Sequence, residues 1–347
     1  MSSTDQPPLP AWLAAIPASI HEWIVGIRNR RFDRGVGVVT LDRPVISVGN
    51  LSVGGTGKTP LTLEILRWLL EAGAAPAVAM RGYGHPGGLQ SDEARLYLRA
   101  YPRLPVVAQP DRLGGLLGLF GSDEGEAVSC VVLDDGFQHR RIARQADILV
   151  IDATRPAHLD RMLPAGWLRE PVTSVSRATA VVVTHARRAG SAACNEIRRS
   201  LDAAGGPHVV ALCDHDWSEL RVNRAEHERS ERIEWLRGRN IVATCAIGRP
   251  ESFLHTLTQS GANISGQLVL PDHDPFGAPA LARLMDLARA SGASAVVCTE
   301  KDWSKLSRVR PELWPCEVAR PRVSLRFGAG EEELRAHVLA AATQPVE

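Results

Sequence analysis

The stretch Val45 to Pro60, reading VISVGNLSVGGTGKTP, constrains this 347-residue chain more than any other. Val45-Ile46-Ser47-Val48 is a short, mostly β-branched run of the kind that forms a buried strand. Gly49 to Gly57 is rich in Gly, Ser, Asn and Thr and reads as a loop. Beyond Lys58-Thr59-Pro60, Leu61, Ile65, Leu66 and Leu69 recur at helical spacing. Strand, glycine loop, Gly-Lys-Thr and helix in that order form a phosphate-binding loop. Glycines let backbone N–H groups turn inward and approach phosphate oxygens. The helix N-terminus adds its free N–H groups and its dipole to the same site. Ser52, Val53, Gly54, Gly55, Thr56 and Gly57 would wrap the phosphates, Lys58 would reach the β- and γ-phosphates, and the Thr59 hydroxyl would ligate Mg²⁺. The general pattern puts a glycine where this chain has Ser52; Gly54 and Gly55 lie inside the loop instead.

A loop of this kind needs an acidic metal site beside it. Val128 to Leu133, VSCVVL, is an apolar run closed by Asp134-Asp135-Gly136. An apolar strand ending in Asp, downstream of a phosphate loop, is where Mg²⁺ is held. Phe137-Gln138-His139-Arg140-Arg141 continues it and adds positive charge. Asp92 opens a helical segment after the turn-rich residues 85–91; it is either a helix-start acid or a general base at the rim of the phosphate site. Arg169 could clamp a phosphoryl group or pair with Glu170. His273 stands between Asp272 and Asp274, so a carboxylate could orient its ring, although a lone histidine is often structural.

Short apolar strands alternating with helical segments across residues 45–215 predict a doubly wound, mostly parallel α/β sheet. Residues 216–240 are charged and predict a connector or hairpin; a second, smaller βα series occupies 241–347, its last helix free to pack back on the core. The core domain is then 36–215, preceded by a tail and helix over 1–35. Trp12, Leu13, Ile16, Ile20, Trp23, Ile24 and Ile27 are spaced as on an amphipathic helix, interrupted or kinked near Pro17 and trailed by Arg28, Arg30, Arg31 and Arg34. Residues 11–34 fit either a bilayer interface or the protein's own core, and their polar residues argue against a spanning helix. Lys+Arg 40 against Asp+Glu 39 argues against a broad basic surface for nucleic acid. The six cysteines contain no C-x-x-C pair; Cys130, Cys245 and Cys298 lie in apolar runs and should be buried thiols.

Taken together, these blocks resemble the tetraacyldisaccharide 4'-kinase family. The resemblance rests on Val48-Gly49-Asn50 through Pro60, Arg81 to Gly84, Asp92 to Arg95, Asp134 to Arg141, Leu163 to Pro171, Asp272-His273 and Thr299 to Asp302, in family order over nearly the whole chain. It implies a P-loop NTPase-like core with a smaller second domain, using ATP and Mg²⁺ to phosphorylate the 4'-hydroxyl of an acylated glucosamine disaccharide-1-phosphate. It also implies work at the cytoplasmic face of the inner membrane, which favours membrane contact for residues 11–34, with no obligate protein partner evident. By position, Asp92 looks like the base and His273 its partner, Lys58 and Thr59 handle phosphate and metal, and Asp134 and Asp135 form the metal-side pair. A nucleotide switch or metal-delivery GTPase would want Asn-Lys-x-Asp and paired cysteines, which the chain lacks. An ATP-dependent carboxylate ligase would not need the apolar N-terminus or an Asp92/His273 pair.

Overall fold

In the computed structural model the described residues are 11–54, 56–82, 92–225, 227–248, 250–272 and 274–346; for residues 11, 12, 92 and 93 only the backbone is described. The chain forms two units, Met1–His215 with Leu325–Glu347, and Asp216–Ser324.

In the larger unit the strands are β1 (Val45–Gly49), β2 (Pro76–Met80), β3 (Val106–Ala108), β4 (Cys130–Asp134), β5 (Ala146–Asp152), β6 (Ala180–Thr184) and the start of β7 (Val209–Arg224). Their lateral order is β7, β6, β5, β1, β4, β2, β3, and each adjacent pair is parallel. Parallel strands need crossovers that cover both faces, which is why β1, β2, β4, β5 and β6 are buried along their whole length. Alternate residues serve opposite layers. Ile46, Val48, Ile148 and Val150 pack with Leu61, Ile65, Leu66, Trp68 and Leu69 of one helix and with Leu334 and Val338 of the helix Glu331–Thr343. Leu149 and Ile151 face a separate cluster with Ile197 and Leu201. Fully burying each large side chain stabilises by about 1.5–3 kcal/mol.

The connections after β1 and after β5 run in opposite directions along the sheet. The crevice above their carboxyl ends is therefore a topological switch point, where open α/β sheets bind ligands. The apolar-periodic segment read from sequence begins there.

Four helices matter for the site: α1 (Ala11–Asp33), α2 (Lys58–Glu71), α3 (Asp92–Ala100) and α4 (Arg112–Phe120). Helix α1 runs through Pro17 as one helix, so Pro17 does not interrupt it. It buries Ala14 and Val25, while Leu13, Ile16, Ile20, Trp23, Ile24 and Ile27 are exposed. Ser19, Glu22 and Arg30 are exposed as well, so the large apolar residues point outward without a clean division into two faces. No described helix is long and apolar enough to cross a membrane.

The smaller unit holds the parallel strands β9 (Asn240–Cys245), β10 (Asn263–Val269), β11 (Ala295–Val297) and the start of β12 (Glu317–Ala329). The end of β7 pairs antiparallel with β8 (His227–Glu231) as a hairpin. Strand β10, at the edge of the sheet, alternates between exposed and half-buried residues and carries no long apolar run. Thr299 caps the helix Glu300–Leu306, its hydroxyl accepting from Asp302 N–H at 3.1 Å. Cys130, Cys245 and Cys298 are buried, as their surroundings in sequence predict.

Gly49 ends β1 against Phe137: a Cβ there would lie 2.5 Å from Phe137 Cβ and 2.6 Å from its backbone nitrogen. Gly49→Ala should therefore cost about 1–3 kcal/mol by overpacking. Urea unfolding checks this; an unchanged midpoint would show that the turn after β4 yields freely.

Candidate active site

The loop between β1 and α2 is closed by its own side chains. Asn50 Nδ2 donates to Thr56 Oγ1 at 3.0 Å, and Asn50 Oδ1 accepts from Lys58 Nζ at 3.1 Å. The Thr184 hydroxyl, at the end of β6, donates to Thr56 O at 3.0 Å. Gly57 precedes α2 in the left-handed region at φ 90, and no side chain caps the helix. The N–H groups of the first turn thus meet no capping oxygen, which is the anion-binding condition. Ser52 bridges Leu168, Val53 N–H donates to Trp167 O at 2.8 Å, and Arg169 N–H donates to Leu51 O at 2.7 Å. The segment 167–169 is thereby held along the loop.

Beyond Lys58 the contacts form a ring. Lys58 Nζ lies 3.4 Å from Asp135 Oδ1. Arg169 Nη1 donates to both Asp135 oxygens, at 3.1 and 2.9 Å, and to Gln138 Oε1 at 3.3 Å. Gln138 Nε2 returns to Asn50 O at 2.9 Å. Asp135 adopts φ 49, left-handed for a residue with a Cβ, and such backbone strain persists where the surroundings over-determine it. Burial works against ionisation of Asp135, but Lys58, Arg169 and Arg112 together outweigh it and hold the carboxyl below its ordinary range. Arg112, at the start of α4, also donates to Asp135 O at 3.0 Å.

Asp134 is the opposite case. Burial raises its pKa, although Tyr97 and Lys58 oppose the shift. Its oxygens accept from the Tyr97 hydroxyl at 2.8 Å and from Asp135 N–H at 2.9 Å. Tyr97 lies on α3, so the helix that Asp92 opens is pinned to the end of β4.

The structure thus joins Lys58, Asp135 and Arg169 directly, with Asp134 beside them and Thr59 in the first turn of α2. Gly55, His273, Tyr83, Gly84 and the side chain of Asp92 lie outside the described residues. Arg169 does not pair with Glu170, which is fully buried and instead accepts from Arg28 at 2.9 Å, Asn29 at 3.0 Å and Arg177 at 2.8 Å. Arg140 pairs with Asp33 of α1 at 2.7 Å, and Arg141 lies 3.8 Å from Asp111, so the charge after Gln138 is spent on those carboxylates. Asn50, Tyr97, Arg112 and Gln138 were not singled out as site residues. Asn50 and Gln138 stand inside the quoted blocks, which is a usable signal; Tyr97 and Arg112 carry none.

Removing Glu170 would leave Arg28 and Arg177 without their shared counter-charge. Glu170→Ala should cost about 3–5 kcal/mol, as breaking a buried ion pair does. A denaturation midpoint like that of the parent would show that the pairs contribute nothing.

The chain was compared with known proteins. The family model for tetraacyldisaccharide-1-P 4'-kinase matches residues 10–343. A tetraacyldisaccharide 4'-kinase of Chlorobaculum tepidum is 32% identical over 345 residues, covering 93% of this chain and 95% of that one. One of Geobacter sulfurreducens is 36% identical over 322 residues, covering 87% and 86%. The crystal structure of LpxK from Aquifex aeolicus in complex with ATP superposes with a TM-score of 0.70 at 26% identity, covering 94% of this chain and 97% of that one.

Proposed function

The chain belongs to the tetraacyldisaccharide-1-P 4'-kinase family, and from that premise we propose that it transfers the γ-phosphoryl group of ATP to the 4'-hydroxyl of a tetraacyl glucosamine disaccharide-1-phosphate, forming lipid IVA. The observation that carries this is the ring at the switch point: an uncapped helix start whose lysine meets the acidic end of the neighbouring strand. Phosphoryl transfer asks mainly for positioning and charge stabilisation. Lys58 and the loop amides hold the triphosphate and offset charge on the moving group. Arg169 sits across Asp135 from Lys58, a second cation at the same end of the site.

The donor set suits Mg²⁺. Thr59, Asp134 and Asp135 offer the hard oxygens that Mg²⁺ takes. Asp134 is a buried carboxyl whose charge burial disfavours, so a nearby cation would stabilise it. When bound, Mg²⁺ neutralises charge on the β- and γ-phosphates.

Asp92 is the general base for the acceptor hydroxyl. Helical rise places the start of α3 about 7.5 Å along the axis from Tyr97, which touches Asp134. His273 is the partner that tunes its basicity. Residues 11–34 contact the cytoplasmic surface of the inner membrane; exposure of Ile16 at 75% and Trp23 at 65% supports this.

Labelled ATP supplied with the acylated disaccharide should place label in the lipid; label appearing only as free phosphate would refute the kinase reading. Lys58→Ala should lower turnover by about 10²–10³-fold or more. Asp92→Ala should slow turnover by about 10²–10⁴-fold while ATP affinity stays close to that of the parent. Collapse of ATP affinity with unchanged turnover at saturation would remove Asp92 from the role of base. Vesicle co-sedimentation should weaken in the Ile16→Ser/Trp23→Ser variant; unchanged binding would dismiss α1 as the contact.

A further inference from the structure

Three neighbouring strand ends in the larger unit carry a line of polar groups that the transfer reaction above does not use. Asp152 closes β5, His185 follows β6 and His215 lies in β7. His185 Nδ1 is 3.1 Å from Asp152 Oδ1, and His185 Nε2 is 3.2 Å from His215 Nδ1. The two rings meet edge to face with centroids 4.7 Å apart. Asp152 Oδ1 accepts from Thr154 N–H at 2.9 Å and from the Thr154 hydroxyl at 2.6 Å, and His185 Nδ1, although close to it, makes no hydrogen bond among the described residues, so the His185 Nε2–His215 Nδ1 contact is what ties the two rings.

His215 Nε2, on the far side of its ring, is shut off from water and without a hydrogen-bond partner among the described residues. It lies against the phosphate-binding loop. A Cβ on Gly57 would come to 2.3 Å of both Nε2 and Cε1 of the His215 ring. His185 holds a left-handed φ of 57, a conformation that a residue with a Cβ keeps only where its surroundings enforce it. The adjoining Thr184 grips Thr56, the residue before Gly57. Burial, with His185 beside it, lowers the His215 pKa to about 4 against the pull of Asp152, so the ring is neutral. A strained residue, an orphaned nitrogen and an occluded glycine thus meet at one turn, and each calls for a reason.

We infer that His215, held against His185, is a positioning residue for nucleotide binding. Its ring braces Gly57 in the left-handed turn from which the backbone and side chain of Lys58 address the phosphates. The inference rests on the reading of this loop as the ATP site. Without the ring, Gly57 is free to leave that turn, and the cradle must be re-formed each time ATP binds.

The test is equilibrium binding of a fluorescent ATP analogue to the full chain, with steady-state kinetics for both substrates. His215→Ala should weaken ATP binding at least tenfold and raise KM for ATP in proportion. KM for the lipid, and the melting midpoint of the unliganded protein, should stay with the parent. His185→Ala, which leaves the ring in place but unoriented, should move ATP affinity the same way by a smaller factor. If His215→Ala binds ATP within twofold of the parent, the brace does not exist. If that variant does not fold, His185→Ala decides by the same criterion, and parent-like ATP affinity overturns the inference. Lys58→Ala separates the two readings. Unchanged ATP binding there would remove the loop itself as the nucleotide site, whereas loss there without loss in His215→Ala would sink the brace alone.

Discussion

One carboxylate, Asp135, holds the phosphate end of this molecule together. It takes a cation from the helix start and a cation from the segment 167–169, and it does so in a backbone conformation that its own side chain disfavours. Lys58 and Arg169 come from parts of the chain that share no secondary structure. Their common counter-charge is what lets two positive groups stand close together before any phosphate arrives. Arg112 adds a third positive group through the carbonyl of the same residue. Phosphate oxygens entering the loop would compete with Asp135 for these cations, so binding exchanges one set of charge pairs for another and leaves none exposed to apolar surroundings.

The two acidic residues beside each other at the end of β4 show how the fold separates similar groups. Asp134 sits within the sheet layer, facing Tyr97, and burial holds back its ionisation. Asp135 steps out of the strand with positive φ and meets three positive side chains. Adjacent residues thus have opposite tendencies because the strand ends between them. That separation gives the site one carboxylate already satisfied by cations and one that gains from a cation brought by the nucleotide.

The sheet and its phosphate loop were legible because both are written locally. Val45 to Val48, Cys130 to Leu133 and Ile148 to Ile151 are almost wholly apolar because both faces are covered, and a glycine loop before Gly-Lys-Thr has few other uses. That the strand after Val128 ends on an acidic residue, Asp134, was legible for the same reason. What escaped depends on distant segments meeting. Arg169 next to Glu170 invites a local pair, yet the fold turns them apart, one toward Asp135 and one toward α1. Tyr97 looks like any buried aromatic on a helix. His185 and His215 lie thirty residues apart, as their contact records, and nothing in either neighbourhood marks them as partners. Helix α1 was read as amphipathic from its spacing. The spacing was real, but the large apolar residues face outward, and the helix is seated by Ala14 and Val25 together with the polar contacts of Arg28 and Asn29.

That mode of seating sets how α1 responds to solubilising agents. Micelles compete for apolar faces and would coat Ile16, Ile20 and Trp23, which are already exposed. They offer nothing to a carboxylate enclosed by two guanidinium groups and an amide. Detergent can therefore coat the outer face of the helix while its inner end stays latched, and need not unseat it from the body of the enzyme.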